Sequence, residues 1–145
     1  MKKKVLILNG PNLNLLHLRN KEIYGDHSLS KAEDDCFNVA KELGLKIEFV
    51  QTNSESDLVN LIQSAIGNFD GIIINAAGFT HTSVAIRDAL EIFSGAKIEL
   101  HISNIFKRED FRKNSLLSDV VNAVISGLGI EGYSLSLLAI NNLIK

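Results

Sequence analysis

The residues Val5-Leu6-Ile7-Leu8 are followed at once by Asn9-Gly10-Pro11-Asn12, and this change from apolar to small and polar residues indicates the architecture of the chain. A short run without polar residues is typical of a parallel strand buried on both faces of a sheet. Because the run ends in a Gly-Pro-Asn loop rather than a hairpin turn, it predicts the carboxyl edge of an open α/β sheet. Ligands bind at that edge.

A long segment expected to be irregular, about residues 10–28, follows this strand and exceeds the usual length of a connecting loop. It carries Arg19 and, five residues later, Tyr24. A phenol is ordinarily protonated at neutral pH, so it acts as a base only where neighbouring cations stabilise the phenolate. The pair therefore predicts an active-site flap at about residues 17–27, although an exposed aromatic and a solvated charge are the alternative.

Strand-like apolar runs alternate with helical patterns along the rest of the chain. Further strands are expected at 46–51, 71–75, 97–103 and 120–126, and helices at about 30–43, 54–67, 82–95 and 129–144. This alternation predicts an α/β fold with right-handed crossovers. The specific expectation is a flavodoxin-like three-layer sandwich, with a five-stranded parallel sheet of order 2-1-3-4-5 and helices on both faces. Residues 1–145 are expected to form a single catalytic domain.

Two helices carry more detailed expectations about their ends and faces. Thr80 or Thr82 is expected to cap the third helix, which should end at Gly95 and turn its apolar positions inward, namely Ala85, Ala89, Ile92 and Phe93. The last helix has apolar residues on or near one face at Leu135, Leu138 and Leu143.

Composition excludes several classes of function. Fifteen Lys and Arg against seventeen Asp and Glu give no basic field for nucleic acid. Cys36 is the only cysteine, which excludes an intrachain disulfide and a cysteine-based zinc site and fits a reducing cytoplasm. No segment approaches the roughly 18 apolar residues of a membrane span. We therefore expect a cytoplasmic protein without nucleic-acid or membrane partners.

Three other segments follow predicted strands, and parallel topology brings them to the edge where Asn12 lies. Glu99 and His101 alternate with apolar neighbours, so they share one face of a strand, where the carboxylate can hold the imidazole in one tautomer. A solvated polar face is the alternative. Asn75 ends another apolar run, where its amide can both donate to and accept from a polar ligand.

Two further features near this edge are more ambiguous. His81 and Asp88 are seven residues apart on a predicted helix, hence about 10 Å apart along its axis. One small ligand cannot easily touch both, so Asp88 either serves a neighbouring subunit or is an ordinary surface residue. The backbone N–H groups of Ile102 and Ser103, at the sheet edge, are candidates to hold a carboxylate.

Five motifs occur in order over essentially the whole chain, and together they resemble the type II 3-dehydroquinate dehydratase family. They are Gly10-Pro11-Asn12-Leu13-Asn14-Leu15-Leu16, Arg19 with Tyr24-Gly25, Asn75 with Thr80-His81-Thr82-Ser83, Glu99-Leu100-His101-Ile102-Ser103-Asn104, and Arg108 with Phe111-Arg112. The resemblance implies a lyase of the shikimate pathway that converts 3-dehydroquinate to 3-dehydroshikimate by anti elimination through an enolate. It also implies no cofactor, no metal and no Schiff-base lysine.

The resemblance also implies catalytic roles. Tyr24, as the phenolate, takes the C2 proton, and Arg19 stabilises that anion and the developing charge. Asn12 orients a water molecule at the enolate oxygen. His101, steadied by Glu99, protonates the departing C1 hydroxyl.

Substrate binding and assembly follow from the same resemblance. The ring hydroxyls and the carboxylate of the substrate are expected to contact the side chains of Asn75, His81 and Arg112. The carboxylate is also expected to contact the backbone amides of Ile102 and Ser103. Asp88 is expected to reach in from an adjacent subunit of a homo-oligomer, a dodecamer built as a tetramer of trimers. The chain departs from the family pattern at His17, Ala76, Ala77 and Phe106.

Two alternatives remain open from the residues themselves. The same sheet order would serve a flavodoxin-like module that binds FMN or accepts a phosphoryl group, although Asn9-Gly10-Pro11 and Asn75 stand where a receiver needs acidic residues. A metal hydrolase built on His81, His101 and Glu99 lacks a recognised ligand spacing.

Overall fold

Five parallel strands form the sheet of the computed structural model, which describes all residues from Met1 to Lys145. Their order is β2-β1-β3-β4-β5, which confirms the predicted order and the flavodoxin-like class. The strands are β1 (Lys4–Asn9), β2 (Lys46–Gln51), β3 (Gly71–Asn75), β4 (Ala96–His101) and β5 (Ala123–Ser126). The apolar runs of β1 and β3 lie in the centre of the sheet, where both faces are covered.

Helices cover both faces of this sheet. The elements are α1 (Lys21–Tyr24), α2 (Leu29–Leu43), α3 (Glu55–Ala65), α4 (Val84–Ile92) and α5 (Glu131–Leu143). One apolar core lies between the sheet and the helices α2 and α5, and a second lies between the sheet and α3 and α4. Successive residues of β1 and β3 enter opposite cores because side chains alternate along a strand.

The strand register places polar residues side by side at one edge. Asn9 of β1 pairs with Gln51 of β2 on one side and with Asn75 of β3 on the other. Glu99 of β4 pairs with Ile74 of β3. The carboxyl ends of the three central strands therefore meet at the edge where the sequence predicted a ligand site.

Helix α4 begins later than the sequence predicted. Ser83 is its N-cap, because the Ser83 hydroxyl accepts a hydrogen bond from the backbone N–H of Ile86 at 2.9 Å. The expected caps, Thr80 and Thr82, lie in and directly after a 3₁₀ turn, Ala77–His81, and neither is the N-cap. The prediction failed because three candidate hydroxyls follow one another within four residues.

The inward faces of two helices also differ from expectation. In α4 the buried residues include Ile86 and Leu90, whereas Ala85 and Ile92 are exposed. In α5 the core contains Tyr133, Leu137 and Ile140, and the expected residues Leu135, Leu138 and Leu143 are between 40% and 49% exposed. Both helices are apolar on more than one side, so the pattern alone leaves their rotation undetermined.

Several element ends shift for local reasons. Strand β4 stops at His101, two residues earlier than predicted, and β5 starts at Ala123 rather than at residue 120, because Ser118–Val120 forms a 3₁₀ turn. Helix α2 starts at Leu29, one residue before the expected start at about residue 30, and Ser28 is its N-cap. Within the long segment 10–28 the chain is not irregular, since 3₁₀ turns over Leu13–Leu18 precede α1.

Candidate active site

A polar cavity of about 120 Å³ lies at the carboxyl edge of the sheet, between the loops that leave β1, β3 and β4. Nine of the eleven residues that the sequence predicted for the site line it, namely Asn12, Arg19, Tyr24, Asn75, His81, His101, Ile102, Ser103 and Arg112. The two others lie elsewhere. Glu99 is buried behind His101, and Asp88 is exposed on α4.

The segment predicted to be a flap contributes Arg19 and Tyr24 to this cavity and contains the short helix α1. The Asn20 side chain accepts a hydrogen bond from the backbone N–H of Glu22 at 3.0 Å and starts α1. Gly25, with φ of 82°, ends the helix in a backbone conformation that favours glycine. Tyr24 lies at the end of α1 with its side chain buried, so this helix places the phenol in the lining of the cavity.

Two guanidinium groups lie close to the Tyr24 ring. The Cζ atom of Arg19 lies 4.0 Å from the ring centroid, and that of Arg108 lies 4.9 Å from it. The Tyr24 hydroxyl is buried and has no hydrogen-bond partner. Burial lowers the pKa of Arg19, and the nearby charges of Arg108 and Arg112 lower it further. This concentration of positive charge favours any anion that forms in the cavity.

His101 is oriented from behind by a buried carboxylate. Its Nε2 contacts Oε2 of Glu99, which is 1% exposed, and Oε1 of Glu99 accepts from Ser115 at 3.1 Å and from Ser118 at 2.7 Å. Burial opposes ionisation of Glu99, but the hydrogen bonds and charge of His101 and the two serine hydroxyls outweigh it. The pKa of Glu99 therefore lies below its usual range.

This arrangement fixes which imidazole nitrogen is available for proton transfer. Because ionised Glu99 only accepts hydrogen bonds, Nε2 of His101 carries a proton that it donates to the carboxylate. Nδ1 is then the nitrogen that can gain or lose a proton. The sequence predicted the Glu99–His101 pair from its spacing, but it gave no signal for Ser115 and Ser118.

His81 also lines the cavity, at the end of the 3₁₀ turn that follows β3. Its Nδ1 lies 3.0 Å from the backbone carbonyl of Asn114, which can only accept, so Nδ1 carries the proton. Burial lowers the pKa of His81, against the effect of the Asn114 carbonyl, and the charges of His101 and Arg112 lower it further. The ring is therefore neutral at neutral pH and presents Nε2 as an acceptor.

The remaining predicted residues come from the loops around the mouth of the cavity. Asn12 has a left-handed backbone conformation, with φ of 69°, and its N–H donates to the Asn53 side chain at 3.0 Å. Arg112 is held by Glu109, which accepts from its Nε at 3.1 Å. Ser103 lies beside Arg108, whose Nη1 donates to the Ser103 hydroxyl at 3.2 Å.

Arg108 is the main residue of the cavity to which the sequence assigned no role. It lies in one of the predicted motifs, but a solvated loop arginine has the same appearance in sequence. Its Nε is buried without a hydrogen-bond partner, and its guanidinium stacks on Tyr24. Pro11, Leu13, Gly78 and Ile105 also line the cavity without having been predicted as site residues.

No group of three or more His, Cys, Asp or Glu side chains comes together in a way that could hold a metal ion. None of the helices combines the length and apolar composition needed to cross a membrane. What the cavity does offer is a phenol among guanidinium groups and an imidazole on a carboxylate, a pair suited to moving protons on a small polar ligand.

Comparisons with known proteins agree with this chemistry. The family model described as dehydroquinase class II matches residues 3–141. A 3-dehydroquinate dehydratase of Prochlorococcus marinus (strain MIT 9301) is 54% identical over 136 residues, covering 92% of this chain and 90% of the relative. The crystal structure of a type II dehydroquinase from Butyrivibrio crossotus superposes with a TM-score of 0.94 at 41% identity, covering 97% of this chain and 98% of that one. A type II dehydroquinase from Propionibacterium acnes gives a TM-score of 0.93 at 39% identity, with 98% of each chain covered.

Proposed function

The chain belongs to the class II dehydroquinase family, and on that basis we propose that it dehydrates 3-dehydroquinate to 3-dehydroshikimate in the shikimate pathway, by anti elimination through an enolate. One observation carries the proposal. Tyr24, whose ring lies close to two guanidinium groups, and His101, held by Glu99, line the same small cavity. A base and an acid are thereby available to one substrate.

The first half of the reaction needs a base beside the ketone. Tyr24, as the phenolate, takes the proton from C2 of the substrate, and Arg19 and Arg108 stabilise that phenolate and the negative charge that follows. The electron pair of the broken C–H bond forms the enolate. Asn12, at the cavity mouth, orients a water molecule that donates to the enolate oxygen.

The second half needs an acid, because hydroxide is a poor leaving group. Collapse of the enolate expels the C1 hydroxyl, which takes a proton from His101 and leaves as water. Ionised Glu99 stabilises the imidazolium before this transfer and keeps the ring in place. Closure of α1 over the site excludes bulk water and strengthens each of these interactions.

Binding of the substrate is assigned to the polar groups around the rest of the cavity. Neutral His81 accepts from a ring hydroxyl through Nε2, and Asn75 contacts a hydroxyl through its amide. The substrate carboxylate binds the backbone N–H groups of Ile102 and Ser103, with Arg112 contributing positive charge.

No cofactor takes part in this scheme. The residues lining the cavity include three arginines and no lysine, so the site itself provides no amine for an imine with the substrate ketone.

Cys36 is buried as a free thiol, which suits a reducing compartment, and we propose a cytoplasmic location.

The proposal includes an oligomer, a dodecamer arranged as a tetramer of trimers, in which Asp88 reaches the cavity of a neighbouring subunit. Its exposure on α4, outside the cavity of its own chain, supports such a role. Asp88→Ala and Tyr24→Phe chains, each of which should lose most of its activity when assayed alone, are unfolded together, refolded and assayed. Hybrids should regain activity, because some sites combine intact Tyr24 with intact Asp88 from the neighbour. A mixture no more active than the average of its components would contradict the shared site.

The reaction itself is tested by adding 3-dehydroquinate and following the ultraviolet absorbance of the conjugated enone product. We expect absorbance to rise with the untreated protein, with protein pretreated with substrate and borohydride, and with protein dialysed against a strong chelator. Inactivation by borohydride would indicate an imine mechanism. Loss of activity that zinc restores would favour a metal hydrolase, and a yellow preparation would favour a flavin-binding module.

A further inference from the structure

A buried chain of hydrogen bonds lies directly beneath Asn75 and connects it to helix α5. The Tyr133 hydroxyl donates to Oδ1 of Asn9 at 2.6 Å, and Nδ2 of Asn75 donates to the Tyr133 oxygen at 3.2 Å. Asn9 and Tyr133 are fully buried and Asn75 is 3% exposed. Only Asn75 of these three lines the cavity, so Tyr133 and Asn9 have no direct contact with a ligand there.

Backbone groups at the two ends determine the direction of every bond in this chain. At one end, Nδ2 of Asn9 faces the carbonyl oxygen of Val50 at 3.2 Å, and a carbonyl can only accept. At the other end, the backbone N–H of Ala77 faces Oδ1 of Asn75 at 3.2 Å, and an N–H can only donate. Asn9 must therefore present its oxygen to Tyr133, and Asn75 its nitrogen.

Tyr133 transmits this direction from one amide to the other. Burial raises the pKa of Tyr133, so its hydroxyl remains protonated and has a single proton to donate. That proton is committed to Asn9, so the Tyr133 oxygen is left as an acceptor for Asn75. A flipped Asn75 amide would place two acceptors together at Tyr133 and two donors together at Ala77.

We propose that Tyr133, together with Asn9, is a positioning residue that fixes the Asn75 amide so that its free N–H donates into the cavity. One amide hydrogen of Asn75 is bound to Tyr133, and the second remains for the ligand. Neutral His81 presents an acceptor to the same cavity. A ligand hydroxyl can thus accept a hydrogen bond from Asn75 and donate one to His81. A ligand oxygen that carries no proton can only accept, so it can bind Asn75 but not His81. This selectivity rests on the function proposed above, whereas the amide orientation does not.

The kinetic test uses Tyr133→Phe, which removes only the hydroxyl. We expect KM for 3-dehydroquinate to rise roughly 3- to 10-fold, the value of one neutral hydrogen bond, with a smaller change in kcat. In an Asn75→Ala background the same substitution should leave KM unchanged. The matched control is Ser136→Ala, which removes a buried hydroxyl of α5 that bonds to the Gly132 carbonyl, and it should leave KM unaltered.

Two kinetic outcomes would overturn the proposal. An unchanged KM in Tyr133→Phe would show that the hydroxyl does not act on binding. An equal rise in KM with and without Asn75 would show a general structural effect. If Tyr133→Phe does not fold, Asn9→Ala removes the acceptor of the Tyr133 proton, and KM should again rise only where Asn75 is present.

A second measurement needs no substrate and separates this proposal from the proposed function. The side-chain amide protons of Asn75 are followed by NMR hydrogen exchange in the free protein. We expect slow exchange in the wild type and at least tenfold faster exchange in Tyr133→Phe, with no change in Ser136→Ala. Equal exchange in wild type and Tyr133→Phe would overturn the positioning role, even if the protein dehydrates 3-dehydroquinate. If the wild type does not dehydrate 3-dehydroquinate, faster exchange in Tyr133→Phe would still support the positioning role of Tyr133.

Discussion

At the scale of single residues, His101 of the candidate site is held by the carboxylate of Glu99, which is buried and has a lowered pKa. The carboxylate is stabilised by three donors, His101, Ser115 and Ser118, two of which lie in a segment that follows β4 by more than ten residues. The Glu-x-His spacing was enough to predict the first contact. The contacts of Ser115 and Ser118 depend on how the segment after β4 folds back beside Glu99. No local sequence pattern predicts that path.

The depressed pKa of Glu99 gives a pH dependence with a defined sign. Stability contributed by a group of this kind is present above its unfolded-state pKa and is lost as the pH falls through the folded-state value. The free energy of unfolding of the wild type, measured by urea denaturation, should therefore fall more steeply below about pH 4.5 than that of Glu99→Gln. Glu48→Gln, which removes an exposed carboxylate, is the control. Equal slopes for wild type and Glu99→Gln would contradict the prediction.

Ala77 is a second residue whose environment can be tested directly. Its φ of 52° lies in the left-handed region, which costs a residue with a Cβ about 1–2 kcal/mol. Ala77→Gly should raise the free energy of unfolding by about 1 kcal/mol in chemical denaturation. The neighbouring Ala76 has φ of −76°, so Ala76→Gly should instead destabilise the protein. Destabilisation by both substitutions would refute the assignment of strain to Ala77.

At the scale of elements, strands were predicted more accurately than helix faces. Strands β2 and β3 match their predicted bounds, because short apolar or alternating runs bounded by polar residues have few other solutions. Helices α4 and α5 were placed well along the chain, but several of their inward residues were assigned wrongly. A helix that is apolar on two sides is oriented by packing against the sheet, which its own sequence does not specify.

The start of α4 provides an element-scale test. Ser83→Ala should lower the free energy of unfolding by about 1 kcal/mol, since it removes the acceptor for the Ile86 N–H at the N-terminus of the helix. Thr82→Ala, at an exposed position one residue earlier, should change it by less than about 0.5 kcal/mol. Thermal or urea denaturation measures both. The reverse order of effects would place the cap at Thr82.

At the scale of the whole molecule, parallel topology explains why residues from separated motifs could be predicted to line one cavity. All strands run in one direction, so the residues that follow β1, β3 and β4 meet at one edge, and the flap after β1 needs only to fold back. Contacts that depend on α5 were not predictable in this way. Tyr133 and Asn9 are 124 residues apart, and only the packed helix brings them together.

The measurement that bears most directly on the function is the turnover of 3-dehydroquinate by Tyr24→Phe. The Tyr24 hydroxyl has no hydrogen-bond partner, so its removal should leave the unfolding transition close to that of the wild type. If the phenolate is the base, kcat followed by enone absorbance should fall by about 10²–10⁴-fold. A Tyr24→Phe protein that folds and turns over within tenfold of the wild-type rate would show that the proton is removed by another group.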